Sequence, residues 1–308
     1  MPPFVILEVP SGAEESVEQL GTKLKFWYQE PGLGRCLCKL NRPHTGEDWA
    51  EKVASELADI IGLPHAQYEL GRFDGQNCVV SPKFVPETCT LILGNELLGK
   101  TNASYGVANV RRFKQAAHTL DAIDDALFQA ACELPLHWDP VEKMVGPADV
   151  FTGYLLLDVL VGNTDRHHEN WGIMEASEAT ARRHLAPTFD HASSLGCHLL
   201  DEERVRRLRA KDAGYSVEAY AEKARSALYL NEIAPRSLKT IEAFQHAMLK
   251  WPKAARVWLE RLSGLRNEQI DTILDRIPSH RISRESSEFA GRLLLHNRNR
   301  LMSLKNSL

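Results

Sequence analysis

The chain has no long hydrophobic run. None of its segments approaches the ~20 consecutive apolar residues needed to span a bilayer, and MPPFVILEVPSG at the amino terminus lacks the positive flank of a signal peptide and reads as a first strand. Cysteine is sparse. The six residues Cys36, Cys38, Cys78, Cys89, Cys132 and Cys197 form no C-x-x-C pair and are too few for a disulfide scaffold, so a reduced, cytoplasmic protein is expected. Neither charge sign dominates: the net charge is −4, which gives no overall attraction to nucleic acid or to an anionic membrane. Internal repeats, low-complexity tracts and a helix-turn-helix module are also missing, and direct nucleic-acid binding is not expected. What is present, 308 residues with 44% hydrophobic and 25% charged, suffices for one large domain or two lobes with separate cores.

The first third reads as β-rich. KLKFWYQ and RCLCKLN alternate on either side of EPGLG and predict a hairpin. A helix follows, with Thr45 and Asp48 at capping-box spacing, a stripe of Trp49, Val53, Leu57 and Ile60, and a stop at Gly62 and Pro64. Short strands around Gln67 to Leu70 and Asn77 to Val80 complete a small antiparallel sheet packed by one helix. From Leu120 onward helical patterns prevail, interrupted only at 163–200. Within them, Pro147 and Gly162 bracket a buried helix whose Val150, Tyr154, Leu157 and Val161 recur at helical spacing.

Straight after that apolar helix comes GNTDRHHENWG, and then APTFDHASSLG. Ionisable residues on a loop held by a rigid scaffold are where chemistry is found. A zinc site of His167, His168, Glu169 and Asp190 is disfavoured, because adjacent loop histidines do not have the H-E-x-x-H geometry. Asp165 and Asn170, by contrast, have the D-x-x-x-x-N spacing of a kinase catalytic loop, and Asp190 follows in an apolar setting. One carboxylate would meet the incoming hydroxyl, while an amide oxygen and a second carboxylate would hold Mg²⁺ on a triphosphate. Lys39, ending the strand RCLCKL ahead of a helix with Glu51 and Glu56, has the order of a kinase Lys–Glu pair.

Asn163, Asp165, Arg166, His167 and Asn170, with Phe189 and Asp190, resemble the motif of the HipA-like serine/threonine kinases; phosphatidylinositol kinases share the D-x-H-x-x-N core. LGTKLKFW is similar to the family's phosphate loop, CLCKLN to its lysine strand and EKVASELADIIGLP to its helix. The resemblance covers roughly 20–196. It implies an α+β, bilobal protein-kinase-like fold, with a small β-rich N-lobe containing one helix at 1–88 and a larger, mostly α-helical C-lobe at 89–308. It further implies ATP and Mg²⁺ as cofactors. Asp165 would be the catalytic base, with His167 beside it on the loop, and Asn170 and Asp190 the metal ligands.

Gly21, Lys25, Lys39 and Glu51 would hold the nucleotide phosphates directly or through one another. SPKF would be the hinge, with Lys83 and Phe84 against adenine. Glu51 fits the count back from Gly62, whereas Glu56 lies closer to the apolar stripe on a helical wheel. Arg166 would be structural, paired with a neighbouring carboxylate, and His168 and Glu169 would be solvated. The phosphate loop departs from G-x-G-x-x-G in having one glycine.

The chain is shorter than the larger family toxins and reads as a compact kinase core. Their toxin–antitoxin setting implies a protein substrate related to translation, or the chain itself at Ser104, Ser226 or Ser283, and a separately encoded regulatory or antitoxin partner. Two alternatives remain open at this stage. A phosphatidylinositol kinase would want a basic activation segment, yet Asp201, Glu202 and Glu203 offset the arginines there. A pseudokinase scaffold would have lost one of Lys39, Asp165, Asn170 and Asp190, all of which are present.

Overall fold

The computed structural model describes residues 1–17, 23–102, 105, 115–140, 144–177 and 182–305. In the amino-terminal part, alternating apolar residues build strands β1 (Ile6–Val9), β2 (Ser16–Val17), β3 (Lys25–Glu30) and β4 (Gly34–Leu40), then helix α1 (Glu47–Ile61), then β5 (Glu69–Phe73) and β6 (Gln76–Pro82). They form one sheet in the order β1-β5-β6-β4-β3-β2. The expected hairpin is β3 and β4, whose turn uses Gly32 and Gly34 at positive φ. Pairing is antiparallel throughout except for β1, which adds to β5 in parallel.

One face of the sheet encloses Phe26, Tyr28, Cys36, Cys38, Phe73, Cys78 and Val80 in a core of its own. Helix α1 belongs to a different core. Its Trp49, Val53, Leu57 and Ile61 pack in one cluster with Tyr154, Trp258, Leu262 and Ile273 from the carboxyl-terminal half. Gly62, left-handed at φ 67°, ends the helix as anticipated. Its start differs from the capping-box expectation: Gly46 is the cap, without a side-chain hydrogen bond. Asp48 is drawn instead to Asn41 at 2.6 Å and to the buried Arg281 at 3.1 Å, because a guanidinium arriving from the far lobe needs a counter-ion more than the helix end needs a cap.

Beyond β6 come β7 (Cys89–Leu93), α2 (Gly94–Thr101), α3 (Leu120–Gln129) and α4 (Pro147–Val161), then β8 (Gly172–Ala176) and β9 (Arg183–Leu185). Strands β7, β8 and β9 make a second, antiparallel sheet, of which β7 is absent from the sequence reading. Helices α5 (Asp201–Leu208), α6 (Val217–Glu222), α7 (Thr240–Lys250), α8 (Pro252–Ser263), α9 (Asn267–Asp275) and α10 (Arg284–Leu304) complete the larger lobe. It wraps α4, which is buried from Val150 to Val161. Among the described residues no helix is long and apolar enough to cross a membrane.

Candidate active site

Helix α4 ends in left-handed Gly162, and the loop that leaves it is organised by one buried ion pair. Arg166 is fully buried and forks onto Asp158, Nε donating to Oδ2 and Nη2 to Oδ1, both at 2.8 Å, while Nη1 donates to the Asn170 carbonyl at 2.6 Å. The structural role expected of Arg166 is therefore seen. Its partner escaped the sequence reading, although a lone acid in YLLLDVLV was its signal. Asn163 donates to the same carboxylate at 2.8 Å and accepts from the Asp165 amide at 3.1 Å. Asn170 donates a side-chain N–H to the Asp165 carbonyl at 2.8 Å, which makes Oδ1 the acceptor end of its amide.

His167 accepts the Glu169 amide on Nδ1 at 3.1 Å, so a neutral ring carries its proton on Nε2, which stands 3.8 Å from Asp165 Oδ1. Burial pushes the imidazole pKa down to about 4, although Asp190 and Glu169 oppose this. The Asp165 carboxyl moves the other way, up to about 6, through burial first and then the nearby Asp190 charge, with Lys23 and Arg42 pulling back. Its side chain remains 48% exposed, so it can meet a substrate. Ser193 Oγ lies 3.5 Å from Oδ2.

Asp190 adopts φ 60°, an unusual conformation for a non-glycine residue, and its amide donates to Tyr68 Oη at 3.0 Å. Lys39 Nζ lies 3.6 Å from its Oδ1. Burial alone would raise this carboxyl, but Lys39, Lys23 and Lys25 overcome it and hold the group well below the ordinary range. Lys25 and Lys39 are directly opposed in the β3–β4 register, an arrangement of like charges that an anion would relieve.

Glu51 is completely buried; Oε1 accepts the amide of His191 at 2.7 Å, while Oε2 has no hydrogen-bond partner. The helix acid thus meets the Asp190 loop. Glu56 is engaged elsewhere, with Lys52 at 2.8 Å and Arg276 at 3.7 Å.

A cavity of about 450 Å³ opens between the lobes, and Lys25, Lys39, Phe84, His167, Asn170 and Asp190 all line it. Phe84 stacks on Phe189 at 5.6 Å. Lys83 also borders the cavity, but its ammonium is held by Glu87 at 2.7 Å and its amide donates to the Arg35 carbonyl. Gly21 and Ser104 lie outside the described residues.

Two expectations are corrected. His168 is buried and bonded to Tyr105 Oη at 2.6 Å, and Glu169 is 13% exposed on the cavity wall; both had read as solvated. The turn over Arg166 buries His167, His168 and Asn170 and leaves Thr164 and Asp165 open to solvent. Among the described residues no group of three or more His, Cys, Asp or Glu is placed to hold a metal ion. The donors suit Mg²⁺ instead: one amide oxygen and one carboxylate, both hard oxygens, are the usual protein share when phosphates supply the remainder.

No protein-family model and no curated protein matches this sequence. Solved structures do match. The Helicobacter pylori proinflammatory kinase CtkA superposes with a TM-score of 0.69 at 19% identity, covering 98% of both chains. The Shewanella oneidensis toxin HipA, solved with HipB and operator DNA, gives 0.57 at 12% identity over 97% of this chain and 70% of its own. The chain has the fold of these kinases. The sheet β1 to β6 with α1 is thus a kinase-like N-lobe, and the helices around α4 are the C-lobe, in the bilobal α+β arrangement expected.

Proposed function

We propose that this protein is an ATP- and Mg²⁺-dependent kinase of the HipA-like type, transferring the γ-phosphate to Ser or Thr of a protein. The observation that carries the reading is the convergence of Lys39, Asn170 and Asp190 on one interlobe cavity, with the half-exposed Asp165 carboxylate beside them. Lys39 and Lys25 would neutralise phosphate oxygens, while Asn170 Oδ1 and Asp190 would hold Mg²⁺, which would supply positive charge against the charge developing in the transfer. Asp165 orients the acceptor hydroxyl and takes its proton as the oxygen–phosphorus bond forms and the bridging bond to ADP breaks. His167 would stand beside that carboxylate, its Nε2 3.8 Å from Asp165 Oδ1.

A protein acceptor connected with translation, or the chain itself, follows the HipA likeness, as do a cytoplasmic location and a separately encoded partner of antitoxin type. HipA itself is solved with HipB and operator DNA. The decisive experiment incubates the purified chain with γ-labelled ATP and Mg²⁺, beside Asp165→Asn, on cell lysate and on phosphoinositide vesicles. Label on Ser or Thr, lost in the variant, is the expected result. Label on lipid alone would make it a lipid kinase, and ATP binding without transfer to any acceptor would make it a pseudokinase.

A further inference from the structure

The segment that carries Asp190 belongs to the larger lobe in sequence, yet it is bonded to the smaller one. Residues 64–68, between α1 and β5, run parallel to it: Thr188 N donates to the Pro64 carbonyl at 3.0 Å and Ala66 N to the Thr188 carbonyl at 2.9 Å, with His65 and Thr188 paired as a bridge. Phe189 packs on the small apolar cluster of Ala66, Tyr68 and Val79. On the far side of Asp190, the His191 amide goes to Glu51 of α1 at 2.7 Å.

Between these anchors the chain turns through Asp190 at φ 60°. A non-glycine residue keeps such a conformation only where its surroundings over-determine it. The bond made at Asp190 itself comes from Tyr68, a residue 2% exposed, whose Oη accepts the Asp190 amide at 3.0 Å. The Tyr68 ring lies 5.6 Å from Lys39 Nζ, and that ammonium stands 3.6 Å from the Asp190 carboxylate. One side chain thus touches both partners of the interlobe ion pair.

We propose that Tyr68 is a positioning residue for the metal site: by accepting the Asp190 amide, its hydroxyl holds Asp190 in the left-handed conformation that keeps the carboxylate beside Lys39 and in the cavity. This rests on the Mg–nucleotide reading given above. Without the hydroxyl, the amide becomes a buried donor lacking its partner, and the turn can relax only by moving Asp190. Tyr68→Phe removes that one oxygen. It keeps the ring against Lys39, the apolar cluster and the bonds at Pro64 and Ala66, so its effect should fall on the metal ligand and not on the nucleotide alone.

The test has two arms. Amide hydrogen exchange by NMR, on protein free of metal and nucleotide, should find the Asp190 amide protected in the wild type and faster by about tenfold or more in Tyr68→Phe, with the Ala66 and Thr188 amides unchanged. Calorimetry of ATP binding over a series of Mg²⁺ concentrations should give a half-saturating Mg²⁺ about three- to tenfold higher in Tyr68→Phe, the scale of one buried hydrogen bond, and equal ATP affinity without metal. An Asp190 amide that exchanges as fast in the wild type as in the variant overturns the inference, as does a Mg²⁺ requirement that the substitution leaves unmoved. ATP binding weakened equally with and without metal would make Tyr68 a support for Lys39 and the proposed role wrong. A folded wild type that binds no nucleotide would instead remove the nucleotide reading itself, and the exchange arm, which contains no ligand, tells that result apart from a misplaced Asp190. The wild-type exchange rate stands even if the variant misfolds.

Discussion

Lys39 and Asp190 come from opposite lobes and meet at 3.6 Å, Nζ to Oδ1. In the proposed site the pair would serve in each direction, the ammonium as a charge for phosphate oxygens and the carboxylate, which Lys39 holds ionised, as a charge for a divalent metal.

Lys39→Ala should therefore damage both functions. Nucleotide affinity in the presence of Mg²⁺ is expected to fall, with turnover lower by about 10²-fold or more, the usual scale for removing one preorganised charge from a reacting phosphate. The Asp190 carboxyl should also titrate higher, because its strongest cationic neighbour is gone. Calorimetric titration of Mg–ATP is the check; an unchanged affinity would remove Lys39 from the site.

The pKa of about 6 at Asp165 sets a pH profile. A base acts when ionised, so turnover should rise as pH increases through about 6 and then level off. Linkage adds a second readout. The folded-state pKa lies above the ordinary 3.8, so the ionised carboxylate costs stability; the cost is absent below the unfolded pKa and complete above the folded one. Asp165→Asn should raise the melting temperature at neutral pH, and the gain should vanish as pH falls toward 4. A gain independent of pH would contradict the shifted pKa.

Much of this was legible in the sequence because local spacing governs it. The Asp165 to Asn170 loop, the β3–β4 hairpin and the α4 bracket between Pro147 and Gly162 all depend on residues near one another in the chain. What stayed hidden depends on distant contacts. Helix α1 starts at Glu47 because Asp48 serves Arg281, which comes from the far end of the chain. His168 is buried because Tyr105 reaches it, and β7 exists because β8, beyond α4, pairs with it. Periodicity cannot report such partners.

Buried Arg166 and Asp158 carry the geometry of the loop, and their removal should be felt as stability. Arg166→Met leaves the Asp158 carboxylate buried without its guanidinium, a cost of about 3–5 kcal/mol. Adding Asp158→Leu removes the stranded charge and should return a large part of that stability without restoring catalysis, since the Asn170 carbonyl and the Asn163 amide have lost their partner. Urea unfolding of the two single variants and the double variant measures this; a double variant no more stable than Arg166→Met would mean that loop packing, and not the charge, sets the cost.

The choice between Glu51 and Glu56 can be made by what each holds. Glu51→Ala strands the buried His191 amide, which costs about 1–3 kcal/mol, and frees the residue next to Asp190, so Mg–ATP affinity should fall along with stability. Glu51→Gln keeps an oxygen for that amide and removes only the charge. It should recover most of the stability, and any remaining loss of affinity then isolates the electrostatic contribution of the acid to the Lys39 region. Glu56→Ala leaves Lys52 its second partner, Glu69 at 2.9 Å, so it should cost no more than about 1 kcal/mol and leave nucleotide binding intact. The reverse pattern, binding lost in Glu56→Ala and kept in Glu51→Ala, would transfer the role to Glu56 and would require α1 to turn about its axis when the nucleotide binds. Such a turn is opposed by Trp49, Val53, Leu57 and Ile61, which anchor the helix in the core of the larger lobe.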